Sequence, residues 1–207
     1  WRRDPARRGA VDTTGLPEAI ASVEATGVAV RGLYDVSGLR ADADLMVWLT
    51  GDSAESLQAA VRVLRRVPAI ADLLPAWNAL GVHREAEFSR THAPSFMRGL
   101  APKQWVTVYP FVRSYDWYLL DDEQRRAMLA DHGRKGAEFA SVQSNTVASF
   151  ALGDYEWLLA LEADDVVDLV DLMRHLRQTE ARRHVREEVP FFTGRRLAVH
   201  EVAEVLS

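Results

Sequence analysis

The residues of this 207-residue chain best suited to chemistry lie in its second half. Trp105–Arg113 (WVTVYPFVR) is dense in β-branched and aromatic side chains, which predicts a strand. Alternate residues of a strand share a face, so Trp105, Thr107, Tyr109, Phe111 and Arg113 stand together. A tyrosine and an arginine there set an oxidisable phenol beside a cation able to hold an anionic group. The same pair also fits a half-buried core aromatic and a rim charge. Pro110 removes a ladder donor beside Tyr109, which predicts a sheet edge or a bulge. His132 follows Met128 by four residues and Leu129 by three, so the three share one helix face. It is either a core histidine or a metal ligand through one ring nitrogen. No second His, Asp or Glu stands at an i+4 spacing on that face, which does not suit zinc. A lone ligand suits an iron whose other bonds come from a macrocycle. His92, in SRTHAPSFM, is a solvent-exposed histidine or a loop-borne functional group. His175 and His184 read as structural or surface residues. Arg174, Arg177, Arg182, Arg183 and Arg186 cluster against one acid, Glu180. They form a solvated helix end or a carboxylate-binding rim.

Composition narrows the classes. The formal charge is −5, against the surplus of Lys and Arg that nonspecific nucleic-acid binding needs. Hydrophobic residues make up 48%, enough for a globular core, and no apolar run approaches the length of a membrane span. The absence of cysteine excludes disulfides, thiolate zinc sites, iron–sulfur clusters and thiol nucleophiles. A Gly-rich phosphate loop, a GxSxG elbow and HExxH are missing too.

The elements that must position these residues form a pattern written twice. After the strand Trp105–Arg113 comes a predicted helix over Asp121–Glu138, able to end near Gly133 or Gly136. Strands over Ser144–Leu152 and Tyr155–Leu161 flank a short turn at Gly153-Asp154. A helix over Asp164–Arg177 has Val166, Leu169, Val170, Met173 and Leu176 on one face, and Arg195–Val199 supplies a last strand. The order β-α-β-β-α-β is the ferredoxin-like unit. In the first half, a helix over Leu16–Ala25, strands over Val28–Val36 and Ala43–Thr50, and a helix over Ser53–Val67 repeat it without the first strand, which is expected upstream of Trp1. Asp44–Arg65 aligns without a gap on Glu156–Arg177 at an offset of 112, with identities such as Leu49/Leu161, Asp52/Asp164 and Arg65/Arg177. The expected organisation is an N-terminal unit and connecting loop over 1–100 and a C-terminal unit over 101–207, in the α+β class.

Four strings, YPFVRSYDWYLL (Tyr109–Leu120), MLADHG (Met128–Gly133), NTVASFALGDYEW (Asn145–Trp157) and LMRHLRQTEARRHVREEVPFFTG (Leu172–Gly194), carry a resemblance. Together they resemble the actinobacterial coproheme decarboxylases, a branch of the chlorite dismutase-like superfamily. The likeness covers nearly the whole chain. It implies two tandem ferredoxin-like units forming a dimeric α+β barrel, with the heme pocket in the C-terminal unit, and a homopentamer. It also implies a reaction, in which hydrogen peroxide converts two propionates of iron coproporphyrin III (coproheme) to vinyl groups. The product is heme b, and the step is the last of coproporphyrin-dependent heme biosynthesis. By the same resemblance Tyr109 is the radical-bearing catalytic tyrosine, His132 the proximal iron ligand and His92 the distal base. Arg113 holds a propionate, Trp117 lies near the reacting propionate, and Phe111, Ala181 and Arg182 belong to the pocket. The location expected is the cytoplasm, with neither nucleic acid nor a membrane span involved and a transient contact with coproporphyrin ferrochelatase. Other readings on the same fold are a chlorite dismutase, a peroxidase or a non-catalytic heme carrier.

Overall fold

A computed structural model describes residues 1–6, 9–85 and 93–207. Along the chain run α1 (Leu16–Glu24), β1 (Ala29–Asp35), β2 (Leu45–Thr50), α2 (Ala54–Leu64), α3 (Pro68–Ala71) and β3 (Trp105–Arg113). They are followed by α4 (Asp122–Ala137), β4 (Gln143–Ala148), β5 (Trp157–Ala163), α5 (Val166–Leu176), β6 (Val185–Glu187), β7 (Phe192–Leu197) and α6 (Val202–Val205). The mixture of helices and antiparallel strands is the α+β class expected. The chain divides into two compact units, Trp1–Asn78 with Phe192–Ser207, and Ala79–Phe191.

In the first unit β1 pairs antiparallel with β2 and, on its other edge, with β7, where Leu33 faces Leu197. β7 overlaps the last strand expected at Arg195–Val199 and begins three residues earlier, at Phe192. It shares the first unit, and Gly194 lets it in. A Cβ there would stand 2.7 Å from the Asp35 carbonyl oxygen. Apolar positions of α1 and α2 then bury Leu16, Val23 and Leu64 with Leu33, Leu45, Ile70, Val202 and Leu206. Removing such surface from water is the main favourable term in holding helix to sheet.

The second unit is built on β5, which pairs antiparallel with β4 and β3. Tyr109 stands opposite Leu159, and Phe111 opposite Trp157. β6 meets the end of β3, and the register shifts between Val112 and Arg113. At Pro110 the β3–β5 register runs unbroken, opposite Leu158, against the bulge expected there; the shift lies instead beside Arg113, in the pairing with β6. The β4–β5 turn is longer than the Gly153-Asp154 pattern suggests. Ala148 is the last residue of β4, Ser149 N–H donates to Glu156 O at 2.7 Å, and Ala151 takes φ of 62°. α5 is capped by Asp165, whose carboxylate accepts from Val167 N–H at 2.9 Å. Its buried face carries Leu169 and Leu172, whereas Val170, expected inside, is exposed. α4 runs on through Gly133 and Gly136 and has no buried residue. It shields the sheet only partly, and that leaves room for a pocket.

Candidate active site

The strand alternation of β3 puts Tyr109, Phe111 and Arg113 on one wall of a pocket in the second unit. Leu159 of β5 and Met173 and Leu176 of α5 add an apolar floor. His132 reaches in from α4, and the segment after α5 contributes Arg177, Thr179, Ala181 and Arg182. Val185 and Glu188 complete the lining.

Tyr109 is both of the things its spacing allowed. It is 4% exposed within the core of Leu161, Leu169 and Leu172, and its ring stacks on Phe191 with centroids 4.4 Å apart. Its phenol also lines the pocket, and the O–H donates to Met173 Sδ at 3.6 Å. Burial, with Glu188 adding to it against Arg177 and Arg182, pushes the Tyr109 pKa well above the usual phenol value. At neutral pH the group keeps its proton.

Arg113 is fixed from two sides. Its backbone N–H donates to Glu156 Oε2 at 2.9 Å, and its guanidinium lies 4.2 Å from the Trp117 ring centroid and 5.0 Å from that of Phe111. Trp117 is buried and is not among the residues lining the pocket; it bears on the pocket through Arg113. Ala181 is buried at the lining. His92 lies outside the described residues.

His132 shows what the pocket could hold. Its Nδ1 stands 3.4 Å from Thr179 Oγ1, and the Thr179 hydroxyl donates its own proton to Leu176 O at 2.9 Å. The threonine oxygen is thereby left to accept, so Nδ1 carries the imidazole proton and the Nε2 lone pair is available to a metal. Burial, with Arg113 second, pulls the His132 pKa below its usual value and favours the neutral ring that ligation requires. Among the described residues no group of three His, Asp or Glu could hold a metal ion. A metal bound at His132 would bring its other ligands with it. Apolar walls, one neutral imidazole and three arginines fit an iron porphyrin bearing carboxylates.

Thr179, Met173 and Glu188 are among the lining residues that escape a site reading of the sequence. Met173 looks like one more apolar position of α5, and Glu188 like one acid of a mixed-charge run. Glu188 Oε2 in fact takes Arg177 Nη1 at 2.5 Å and Arg182 Nη1 at 2.6 Å. The arginine-rich segment is therefore partly a rim of the pocket and partly ion-paired within itself.

The chain matches the family model described as chlorite dismutase over residues 12–197. It is 53% identical over 180 residues to the coproheme decarboxylase of Mycolicibacterium smegmatis (strain ATCC 700084 / mc(2)155), a match spanning 86% of this chain and 78% of that protein. A crystal structure bearing the chlorite dismutase name TA0507 superposes with a TM-score of 0.82 at 20% identity, covering 100% of this chain and 96% of its own. The chlorite dismutase from Candidatus Nitrospira defluvii in complex with imidazole gives a TM-score of 0.78 at 20% identity, covering 94% and 87%. At that identity the two solved structures speak for the fold alone.

Proposed function

Since this chain belongs to the chlorite dismutase family, we propose that it is a coproheme decarboxylase. It converts two propionates of iron coproporphyrin III to vinyl groups with hydrogen peroxide, releasing carbon dioxide and giving heme b. One observation carries the reading. A buried, protonated phenol, an arginine and a neutral imidazole line the same pocket of a chain 53% identical to an enzyme of that name.

The porphyrin iron, with hydrogen peroxide, supplies the oxidising power. The rest falls to the chain's own residues. His132 would hold the iron through Nε2, with Thr179 at its Nδ1 fixing the tautomer. Arg113, pressed on Trp117 and held by Glu156, orients a propionate by a charge-assisted hydrogen bond. Tyr109 would give up its O–H hydrogen on oxidation and regain one from the propionate held beside it; removal of a second electron, also drawn from the peroxide, then lets the carboxylate leave as carbon dioxide and the vinyl bond form, with one peroxide reduced to water for each propionate. Such transfer works only near contact, which is why the phenol is packed between Phe191 and Met173. Phe111, Ala181 and Arg182 shape the porphyrin's surroundings, and His92 serves as the base that takes a proton from peroxide.

The two sequence units, 1–100 and 101–207, are products of duplication in this reading, with the porphyrin in the second. α2 and α5, each of 11 residues, support it by standing 112 positions apart. No helix among the described residues is long and apolar enough to cross a membrane. We place the enzyme in the cytoplasm as a homopentamer that meets coproporphyrin ferrochelatase transiently.

The test is titration of the purified protein with iron coproporphyrin III, then with hydrogen peroxide in steps, following the porphyrin by mass spectrometry. Two successive losses of a carboxyl group, ending at the mass of heme b, are expected. An unchanged porphyrin with rapid oxygen release from chlorite would replace the reading with chlorite dismutation. An unchanged porphyrin without it would leave a heme carrier.

A further inference from the structure

The pocket already holds a carboxylate of its own. Arg113, Arg177 and Arg182 line it, and the acid among its lining residues is Glu188. A single oxygen of Glu188 meets both Arg177 and Arg182, at 2.5 and 2.6 Å. Both contacts are charge-assisted hydrogen bonds, the interaction by which arginines hold a carboxylate ligand. The Glu188 side chain is 13% exposed, and each arginine 38%. Pulling the acid away into water would leave two cations, Arg177 exposed and Arg182 partly so, facing each other without a counter-charge, which their mutual repulsion disfavours. Exchanging it for a second carboxylate keeps both cations paired and costs far less. The arginine pair therefore opens readily to an incoming carboxylate and stays shut to a neutral group.

We propose that Glu188 is a placeholder in a carboxylate subsite formed by Arg177 and Arg182. A carboxylate of the porphyrin displaces Glu188 from the pair, and Glu188 returns when the group reaching the pair is uncharged. This rests on the coproheme reading and deepens it. The pair reads whether a porphyrin corner bears a propionate or a vinyl group, so it favours the tetracarboxylate substrate over a dicarboxylate product. Glu188 and Phe191 sit in one short segment, and Phe191 stacks on Tyr109. The subsite and the oxidisable phenol thus share a wall.

The test compares dissociation constants, read from porphyrin absorbance without peroxide, for iron coproporphyrin III with four carboxylates and iron protoporphyrin IX with two. In Glu188→Gln the tetracarboxylate should bind about 5- to 10-fold tighter, with the dicarboxylate changed less than about twofold, because only the former competes with the lost charge. In Arg182→Gln the tetracarboxylate should bind about 5- to 10-fold more weakly, again with little change for the other. Weaker tetracarboxylate binding in Glu188→Gln would overturn the placeholder and make Glu188 a brace for the arginines. Equal shifts for both porphyrins in both variants would overturn it as well. Failure of the unaltered protein to bind either porphyrin would overturn the coproheme reading itself.

Discussion

The first and second units share a frame and differ in what fills it. α2 and α5 are each capped by a side chain that accepts from the helix backbone, Ser53 in one and Asp165 in the other, 112 residues apart. Carried just past the end of the gapless match, the same offset sets Val67 against Thr179 and Ile70 against Arg182. In the first unit both are buried in the core around Leu64. In the second they are a hydroxyl and a guanidinium that line a pocket with His132. Each polar group has a partner: Thr179 for His132, Leu176 O for Thr179 and Glu188 for Arg182. Where the first unit packs methyl groups, the second holds polar groups that satisfy one another.

That contrast can be broken in graded ways. Leu64→Ala, at a fully buried position of the first core, should cost about 3 kcal/mol of stability in a denaturant titration. The porphyrin affinity of the folded protein should not change. His132→Ile, which replaces the imidazole by an aliphatic side chain, should weaken iron coproporphyrin on the order of 100-fold. Metal-free coproporphyrin should bind as before, and a parallel loss would mean that the imidazole acts by packing instead. The pH response of the same bond sharpens the point. Protonated imidazole cannot ligate, and the His132 pKa lies below its ordinary value. Acidification through about pH 6.5 should therefore leave the ligated absorbance spectrum intact, and the change should come only at lower pH. At the small end, Ser53→Ala and Asp165→Ala should each cost about 1 kcal/mol, since the two caps do the same work. A several-fold larger loss for either would mean the frames differ more than their offsets show.

What the sequence made legible follows from local rules. Alternation alone placed Tyr109, Phe111 and Arg113 on one face of β3, and helical spacing turned His132 toward the side of Met128 and Leu129. The unbroken 112-residue offset marked the paired helices. Less was legible where a distant partner decides. β7 pairs with β1 across more than a hundred residues, and nothing within Phe192–Leu197 names that partner. Val170 fits the apolar period of α5 as well as Leu172 does, yet packing buried Leu172 and left Val170 in water. Glu188 carries no periodicity at all. Its meaning depends on two arginines that a short chain reversal brings onto one oxygen.

The central claim is that the phenol of Tyr109 performs the oxidation. Tyr109→Phe keeps the buried ring and its stacking on Phe191 while removing the oxidisable O–H. Loaded with iron coproporphyrin III and given peroxide, this variant should bind the porphyrin as the unaltered protein does. Its porphyrin mass should stay unchanged while the unaltered protein loses both carboxyl groups. Loss of both from the variant at the unaltered rate would contradict the account and return Tyr109 to the role of a core aromatic.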